Sequence, residues 1–282
     1  MKKMLLLCTG LFLAAGIASA EVVSTNIVGY LKTKATGRYF TSGSTFINVG
    51  HAVDPINFPS VWRMGDIIPT GMNPLSDVVQ FLNPTTINPD LLATYIDEDW
   101  ALEFADDPDD PADVAFWVGW WKMPNWTEKL NDRTFPASQG FLCNVASSGV
   151  SFTFFGEVLT EGVSINLQGE QYPLVANFQP VTNKLGKIVA KGVNPLSDVF
   201  QVLNSTTLNP DYLVTYIDED WALDFADDPD DPEDVASWVG WWRMPNWSVK
   251  LNNYELIPGA SLLGNLKSSN VVLQFPSLLA TP

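Results

Sequence analysis

The chain is poor in cysteine, histidine and positive charge, and each shortage excludes a class of chemistry. Its 282 residues include two cysteines and one histidine, His51. Fifteen Lys and Arg stand against 32 Asp and Glu, so the formal net charge is −17. Nucleic acid is excluded as a partner, because contacts with phosphates need a basic face. One histidine gives no basis for a histidine-rich zinc site, or for a catalytic triad away from His51.

Long apolar runs are also lacking beyond the start of the chain. Residues 1–20 predict a signal peptide, because Lys2 and Lys3 precede an apolar stretch and Ala-Ser-Ala at 18–20 suits cleavage. No later segment has the roughly 18 uninterrupted apolar residues of a membrane-spanning helix. We therefore expect an exported protein (periplasmic, outer surface or extracellular) with no integral membrane segment. Only Cys143 remains after cleavage, and we expect it to be a buried, small apolar residue.

What the chain has in abundance is repetition. Residues 73–126 (the first block) recur at residues 194–247 (the second block), displaced by 121 positions, with 44 of 54 residues identical. Ten of the eleven Trp lie in the two blocks. The repeat predicts two tandem β-domains, at 21–157 and 158–282, that contact each other. A recent duplication or local gene conversion would also explain the identity, without any shared function.

The pattern between turn residues is mostly that of β-strands. β-branched and aromatic residues predict strands at 26–33, 94–96, 115–121, 141–145, 150–155 and 163–167. One helical piece is predicted through 78–82, capped by Ser76 and Asp77. Short strands at this spacing are typical of sandwiches and barrels. We expect an all-β fold of two tandem β-sandwich or barrel-like units, related by an internal repeat of about 121 residues.

One pair of substitutions between the blocks indicates a packed core. Val79 and Phe81 of the first block become Phe200 and Val202 in the second. Large and small side chains trade places at constant volume, which is the kind of change that cores tolerate best. We expect both positions to face one shared pocket in each domain.

The ends of the repeat resemble a known family. Residues 137–143 (ASQGFLC) and 150–158 (VSFTFFGEV) resemble the GEGFFV…VTFVGEV ending of exported tandem β-domain proteins from planctomycete- and verrucomicrobium-like bacteria. Residues 27–30 (IVGY) resemble their opening, and residues 172–177 (YPLVAN) resemble one of their strands. The resemblance implies a tandem β fold and export, and it implies no functional residue. The Asp-rich insertion departs from the family's pattern, so we expect the peculiar property of this chain to lie there.

The acidic insertions hold 19 of the 32 acidic residues. Carboxylates this close together repel one another unless cations neutralise them, and Ca²⁺ accepts many oxygen ligands in flexible geometry. The candidate metal ligands are Asp106, Asp107, Asp109, Asp110 and Asp113, with Asp227, Asp228, Asp230, Asp231 and Asp234 in the second block. No EF-hand spacing is present, so Ca²⁺ is one interpretation and a solvated acidic turn is the other. No further cofactor is expected.

The Trp-rich segments form the second candidate site. The candidate ligand-binding residues are Trp117, Trp120, Trp121, Trp126, Trp238, Trp241, Trp242 and Trp247. If 115–121 is a strand, Trp117 and Trp121 share one face, and Gly119 between them lets a flat ligand approach the backbone. Exposed rings would stack on sugars or form an interface with a partner, whereas buried rings would fill the core.

Three functions fit this pattern. We favour an exported, non-catalytic structural or adhesive protein that self-associates through its Trp-rich and Asp-rich faces. A bivalent carbohydrate-binding protein that binds polysaccharide is the first alternative, since two identical sites raise avidity. A glycoside hydrolase-like enzyme that uses two carboxylates is the second.

Overall fold

The structure, a computed structural model, describes residues 28–35, 38–44, 61–136, 138–158, 160–167, 169–203 and 210–278. The predicted signal peptide and His51 lie outside these residues. Strands account for 41% and helices for 15%, and the small antiparallel sheets stand in a ring that resembles a four-bladed propeller. The prediction of a mostly β fold is confirmed. In the described ranges, no helix has the length and apolar character needed to cross a bilayer.

The first ten strands form three antiparallel sheets. They are β1 (Val28–Lys34), β2 (Tyr39–Gly43), β3 (Val61–Arg63), β4 (Ile67–Thr70), β5 (Val78–Leu82), β6 (Pro89–Ile96), β7 (Gly119–Lys122), β8 (Thr134–Pro136), β9 (Gly140–Asn144) and β10 (Ser151–Glu157). The strand orders are β2-β9-β5-β6-β7, β1-β10-β4 and β3-β8. In β10, Phe152 and Phe154 are buried while Phe155 is exposed, which is the alternation that its sequence predicts.

The next ten strands have the same strand orders. They are β11 (Val163–Asn166), β12 (Leu174–Ala176), β13 (Asn183–Lys184), β14 (Val189–Lys191), β15 (Val199–Leu203), β16 (Pro210–Ile217), β17 (Gly240–Arg243), β18 (Glu255–Leu256), β19 (Ser261–Asn265) and β20 (Val272–Phe275). Their sheets are β12-β19-β15-β16-β17, β11-β20-β14 and β13-β18. One apolar core lies within residues 40–154, and another lies within residues 163–275.

The predicted helix at 78–82 is wrong, because this segment is β5, paired on both sides with β6 and β9. Its pattern has buried side chains on one face, and Val79 and Phe81 both lie in the first core. Phe200 and Val202 both lie in the second core. The expectation drawn from the exchanged side chains is therefore confirmed.

Asp77 is a buried hydrogen-bond acceptor rather than a helix cap. Its carboxylate accepts the backbone N–H of Asn73 at 2.9 Å, of Ala146 at 2.7 Å and of Ser147 at 3.2 Å. Asp198 stands in the same place in the second block. Each carboxylate ties the start of a central strand to the connection that follows β9 or β19.

The two five-stranded sheets contact each other. Leu82 of one sheet packs with Leu174 and Leu263 of the other. The N–H of Ser261 donates to Oγ1 of Thr41 at 3.1 Å, which joins β19 to β2. The predicted contact between the two parts of the chain is therefore present.

Cys143 is buried in the first core, as expected. Burial raises the pKa of its thiol well above the ordinary value, because a low-dielectric surrounding disfavours the thiolate. The side chain thus contributes packing rather than a reactive nucleophile.

Two short helices connect β6 to β7, and two more connect β16 to β17. They are α1 (Glu98–Phe104), α2 (Pro111–Trp117), α3 (Glu219–Phe225) and α4 (Pro232–Trp238). The predicted strand at 115–121 is therefore wrong in its first half. A helix that begins at Pro111 continues to Trp117, and β7 begins only at Gly119. The helices α1 and α2, and likewise α3 and α4, are called a helix pair below.

Candidate functional site

Each helix pair begins with an aspartate cap that the sequence supplies. Oδ1 of Asp97 accepts the N–H of Trp100 at 3.0 Å, and Oδ1 of Asp218 accepts that of Trp221 at 3.1 Å. The next two residues in each helix are acidic, and negative charge in a first turn is stabilised by the helix dipole. Many of the acidic residues in each block therefore cap a helix or lie in its first turn.

The second helix of each pair begins in the same way. Oδ1 of Asp110 accepts the N–H of Ala112 at 2.9 Å, and Oδ1 of Asp231 accepts that of Glu233 at 2.9 Å. A proline follows each cap at the first helical position, where its missing N–H costs nothing.

The turn between the helices holds the predicted metal ligands. Asp113 accepts the N–H of Asp107 at 2.8 Å, and Asp107 accepts the N–H of Asp109 at 3.2 Å. Asp234 and Asp228 repeat the first bond at 2.8 Å. The remaining candidates, Asp106, Asp227 and Asp230, are exposed. Among the residues described, no three His, Cys, Asp or Glu side chains form a group that could hold a metal ion. Calcium binding stays a prediction.

Three of the predicted Trp platforms are core residues instead. Trp120 and Trp241 are 0% exposed, and Trp121 is 3% exposed. The indole N–H of Trp120 donates to the carbonyl of Ile67 at 2.8 Å, and that of Trp241 donates to Ile188 at 2.7 Å. Trp120 and Trp241 lie in the first and second cores, whereas Trp121 lies in a separate cluster with Trp117 and Trp126.

The other five predicted Trp residues lie in a small aromatic cluster beneath the helix pairs and are partly exposed: Trp117, Trp126, Trp238, Trp242 and Trp247. Phe104 packs against Trp117 with ring centroids 5.5 Å apart and against Trp126 at 5.4 Å. Phe225 repeats both contacts, also at 5.5 and 5.4 Å. The cluster holds the helices to the sheet edge, and ligand binding by these five stays a prediction.

Asn131 occupies the space over Gly119 that the sequence had suggested for a ligand. Its Oδ1 accepts the N–H of Trp120 at 2.8 Å. Gly119 has a φ of 131°, and a Cβ there would lie 2.5 Å from Oδ1 of Asn131. Gly240 and Asn252 repeat this arrangement. The signal for it was the Lys-Leu-Asn triplet that recurs just beyond each block.

A lysine holds the end of the second helix in each pair, and sequence reasoning missed it. Nζ of Lys129 donates to the carbonyl of Phe116 at 2.6 Å, and Nζ of Lys250 donates to that of Ser237 at 2.7 Å. Each ammonium group also lies over the ring of Trp121 or Trp242, at 5.8 and 5.5 Å. Burial lowers the pKa of both lysines.

A cleft of about 870 Å³ lies against α3 and α4. Its lining residues are Glu219, Asp220, Leu223, Pro229, Asp230, Pro232, Val235, Ala236, Val239, Lys250 and Asn252. All eleven have an identical residue 121 positions earlier in the chain. Leu223 is 47% exposed, and its counterpart Leu102 is 49% exposed.

The helix-pair cleft combines acidic and aliphatic side chains. Its lining contains no hydroxyl, thiol or imidazole group. Glu219, Asp220 and Asp230 place carboxylates around aliphatic side chains such as Leu223. A ligand with a positive charge beside an apolar group would satisfy both features.

The chain matches no protein-family model, no curated protein and no solved structure. The geometry and charge of the helix-pair cleft are therefore the basis for a functional conclusion.

Proposed function

We propose that the protein is an exported, non-catalytic adhesive or structural protein of the cell envelope or extracellular space, with one acidic cleft on each of two helix pairs. The observation that carries this is the double occurrence of the residues that line the cleft. All eleven lining residues recur, whereas residues 127–157 and 248–278 just beyond the blocks agree at only 9 of 31 positions. A set of surface residues kept twice while the strands beyond the blocks diverge is what a bivalent adhesive protein needs.

The proposal includes a chain built from two copies of one β unit. Matching strand orders and separate apolar cores support it. The resemblance of residues 137–143 and 150–158 to exported tandem β-domain proteins supports it independently. Export itself rests on residues 1–20, and N-terminal sequencing of the secreted protein checks it. We expect the mature chain to begin at Glu21.

Adhesion through the clefts is tested with an immobilised peptide of alternating Lys and Leu residues. We expect wild-type protein to dissociate slowly, because two linked sites raise avidity by about 10²–10⁴. Leu102→Ser or Leu223→Ser alone removes the exposed apolar side chain of one site. Dissociation is then expected to return to the single-site rate. The double variant is expected to lose measurable retention in surface plasmon resonance.

The choice of serine makes this test specific for the cleft. Leu→Ser leaves the net charge unchanged, so non-specific attraction between an acidic protein and a basic peptide is the same in all variants. Leu75→Ser/Leu196→Ser is the matched control, because these leucines are 60% exposed and recur in both blocks without lining the cleft. Equal retention of the cleft double variant and this control would refute the proposed adhesive role.

Partial exposure of the rings of Trp117 and Trp238 favours one second candidate, a bivalent carbohydrate-binding protein. Aromatic faces that reach solvent offer stacking surfaces for sugar rings. Binding on a glycan array that disappears in Trp117→Ala/Trp238→Ala would favour polysaccharide as the partner. Because these rings also pack beneath the helices, a thermal melt of the variant is needed to exclude unfolding.

Calcium at the acidic turns is tested by thermal unfolding with Ca²⁺ and with a chelator. A ligand that binds only the folded state at 100 times its dissociation constant adds about 2.7 kcal/mol to the free energy of unfolding. We expect the midpoint to rise by several degrees with Ca²⁺. An unchanged midpoint would leave the carboxylates of residues 106–113 as helix caps and turn acceptors alone.

A further inference from the structure

The outer face of the sheet β1-β10-β4 carries an exposed aromatic and basic patch. We define this basic aromatic face as Tyr30, Lys32, Lys34, Ile68 and Phe155. Tyr30 is 72% exposed, Phe155 42% and Ile68 41%. The Tyr30 and Phe155 rings stack with centroids 6.4 Å apart. Large apolar side chains grouped in solvent mark interaction surfaces.

The register of the three strands brings these side chains together. Tyr30 pairs with Phe155, and Lys32 pairs with Thr153, which in turn pairs with Ile68. Alternate residues of a strand share a face, so Lys34 follows Lys32 on the same side. The face therefore has two ammonium groups beside two rings and an aliphatic side chain.

The charge of this face is opposite to that of the chain as a whole. Within the described residues, the side-chain ion pairs are Arg63–Asp66 and Lys122–Glu128, and neither includes Lys32 or Lys34. Lys34 borders a cavity that Asp211 and Glu255 also line, whereas Lys32 lies further along the face. Glu157, an acid of β10, lies at the far end of the sheet opposite Val28. A cationic patch on a chain of net charge −17 is complementary to most of that chain's own surface.

The helix-pair cleft has the complementary chemistry. Its carboxylates of Glu219, Asp220 and Asp230 are exposed, and Leu223 lies among them. The basic aromatic face and the cleft are both open to solvent in the same molecule, so neither covers the other within it. A contact between them joins two molecules.

We propose that the basic aromatic face of one molecule docks into a helix-pair cleft of a second molecule, head to tail. This inference rests on the proposed adhesive role of the cleft. The equivalent sheet β11-β20-β14 has Ser164, Gln274 and Pro276 where the first sheet has Lys32, Thr153 and Phe155. Each molecule thus offers one basic aromatic face, together with the cleft at α3 and α4 and the identical set of residues at α1 and α2. A head-to-tail contact that does not close on itself produces an open assembly.

Sedimentation velocity near physiological ionic strength tests this, because long-range repulsion is then screened beyond about 8 Å while contacts persist. We expect wild-type protein to form larger species as its concentration rises. Lys32→Glu/Lys34→Glu removes the face, and Asp109→Lys/Asp230→Lys reverses charge in both clefts. Each variant alone is expected to stay monomeric, with association at least 100-fold weaker, since like charges brought together cost several kcal/mol.

Mixing the two variants gives the decisive result. The first retains its clefts and the second retains its face, so the mixture is expected to form complexes of two or three molecules that grow no further. Lys184→Glu/Lys187→Glu is the matched control, because it changes net charge by the same amount on exposed lysines of another surface. It is expected to assemble like wild type.

Results that contradict the head-to-tail contact can be told apart from results that contradict the proposed adhesive function. A monomeric wild-type protein, or a mixture that stays monomeric, overturns the head-to-tail contact. Circular dichroism confirms folding, and Tyr30→Ser/Phe155→Ser provides a second, charge-neutral way to remove the face. If the cleft still retains the Lys-Leu peptide while assembly fails, only this inference fails. If the peptide is also not retained, the proposed adhesive function fails with it.

Discussion

The two helix pairs repeat each other almost bond for bond, whereas the two cores that support them are filled differently. In the first core, Trp62 stacks on Phe135 at 4.7 Å, and Phe135 stacks on Phe81 at 4.1 Å. In the second core, the places of Trp62 and Phe135 are taken by Asn183 and Leu256. The amide of Asn183 donates to Asn177 at 2.9 Å and to Gln179 at 2.7 Å.

This difference separates what the fold requires from what the surface retains. An aromatic stack and a buried amide network both satisfy the same strand order, because a core needs filled volume and paired polar groups rather than particular residues. The helix pairs contribute little to either core, and the cleft residues on and around them are identical in the two halves of the chain. The fold therefore tolerates a change of core chemistry that the helix pairs have not undergone.

The largest expected effect concerns the different packing of the two cores. Trp62→Ala should lower the free energy of unfolding by about 3–5 kcal/mol, since it leaves a large cavity among packed rings. Asn183→Ala should cost roughly 1–3 kcal/mol, because it leaves the oxygens of Asn177 and Gln179 without a buried donor. Urea unfolding followed by circular dichroism measures both. Equal costs would show that the two cores are held by the same kind of interaction.

The next effect should be the same in both halves of the chain. Asp77→Asn and Asp198→Asn replace a carboxylate oxygen with an NH₂ group that faces a backbone N–H donor. Hydrogen bonds to charged groups contribute about 1.5–3 kcal/mol, so a loss of about 2 kcal/mol is expected for each variant in urea unfolding. Asp90→Asn, at an exposed position, is the control and should stay within about 0.5 kcal/mol of wild type. A large difference between Asp77 and Asp198 would contradict their structural equivalence.

Particular residues show which of these features the sequence could predict. The exchange of side chains at Val79 and Phe81 predicted a shared core pocket, and the small apolar side chain of Cys143 predicted a buried position. Both predictions depend only on the volume and polarity of the residues themselves. Residues 115–117 were misassigned to a strand because they are mostly apolar, but they end a helix that Asp110 caps and that begins at Pro111. The role of Asp77 was not predictable, because two of the N–H groups that donate to its carboxylate, those of residues 146 and 147, are 69 and 70 positions away.

The same distinction explains what was missed at the helix pairs. The acidic residues were visible, but their partners are backbone N–H groups that exist only once the helices form. Lys129 and Lys250 recur at matching positions, which was a readable signal. Their function was not readable, because the helix end that each lysine holds had been interpreted as a strand.

A smaller effect should distinguish the two helix pairs from each other. Lys129 lies over two rings, Phe116 at 5.7 Å and Trp121 at 5.8 Å, whereas Lys250 lies over Trp242 at 5.5 Å and faces Ser237 instead of a phenylalanine. We expect Lys250→Met to cost about 1 kcal/mol for the lost hydrogen bond and ring contact. Lys129→Met should cost roughly 0.5 kcal/mol more. Adding Ser237→Phe to the second helix pair should remove that difference, and a double-mutant cycle in urea measures it.

The smallest expected effect lies at the boundary between the two sheets, in a cavity of about 590 Å³ that includes Glu170. Burial raises the pKa of the Glu170 carboxyl above its ordinary value of 4.5, so the folded protein holds this proton more tightly than the unfolded chain does. The resulting stabilisation is complete below the ordinary pKa and is lost as pH rises through the raised pKa. Glu170→Gln should therefore raise the free energy of unfolding at pH 7, by less than about 1 kcal/mol because solvent screens a partly exposed group. In urea unfolding at pH 4 the two proteins should converge, and an advantage that is the same at both pH values would assign the effect to packing rather than to charge.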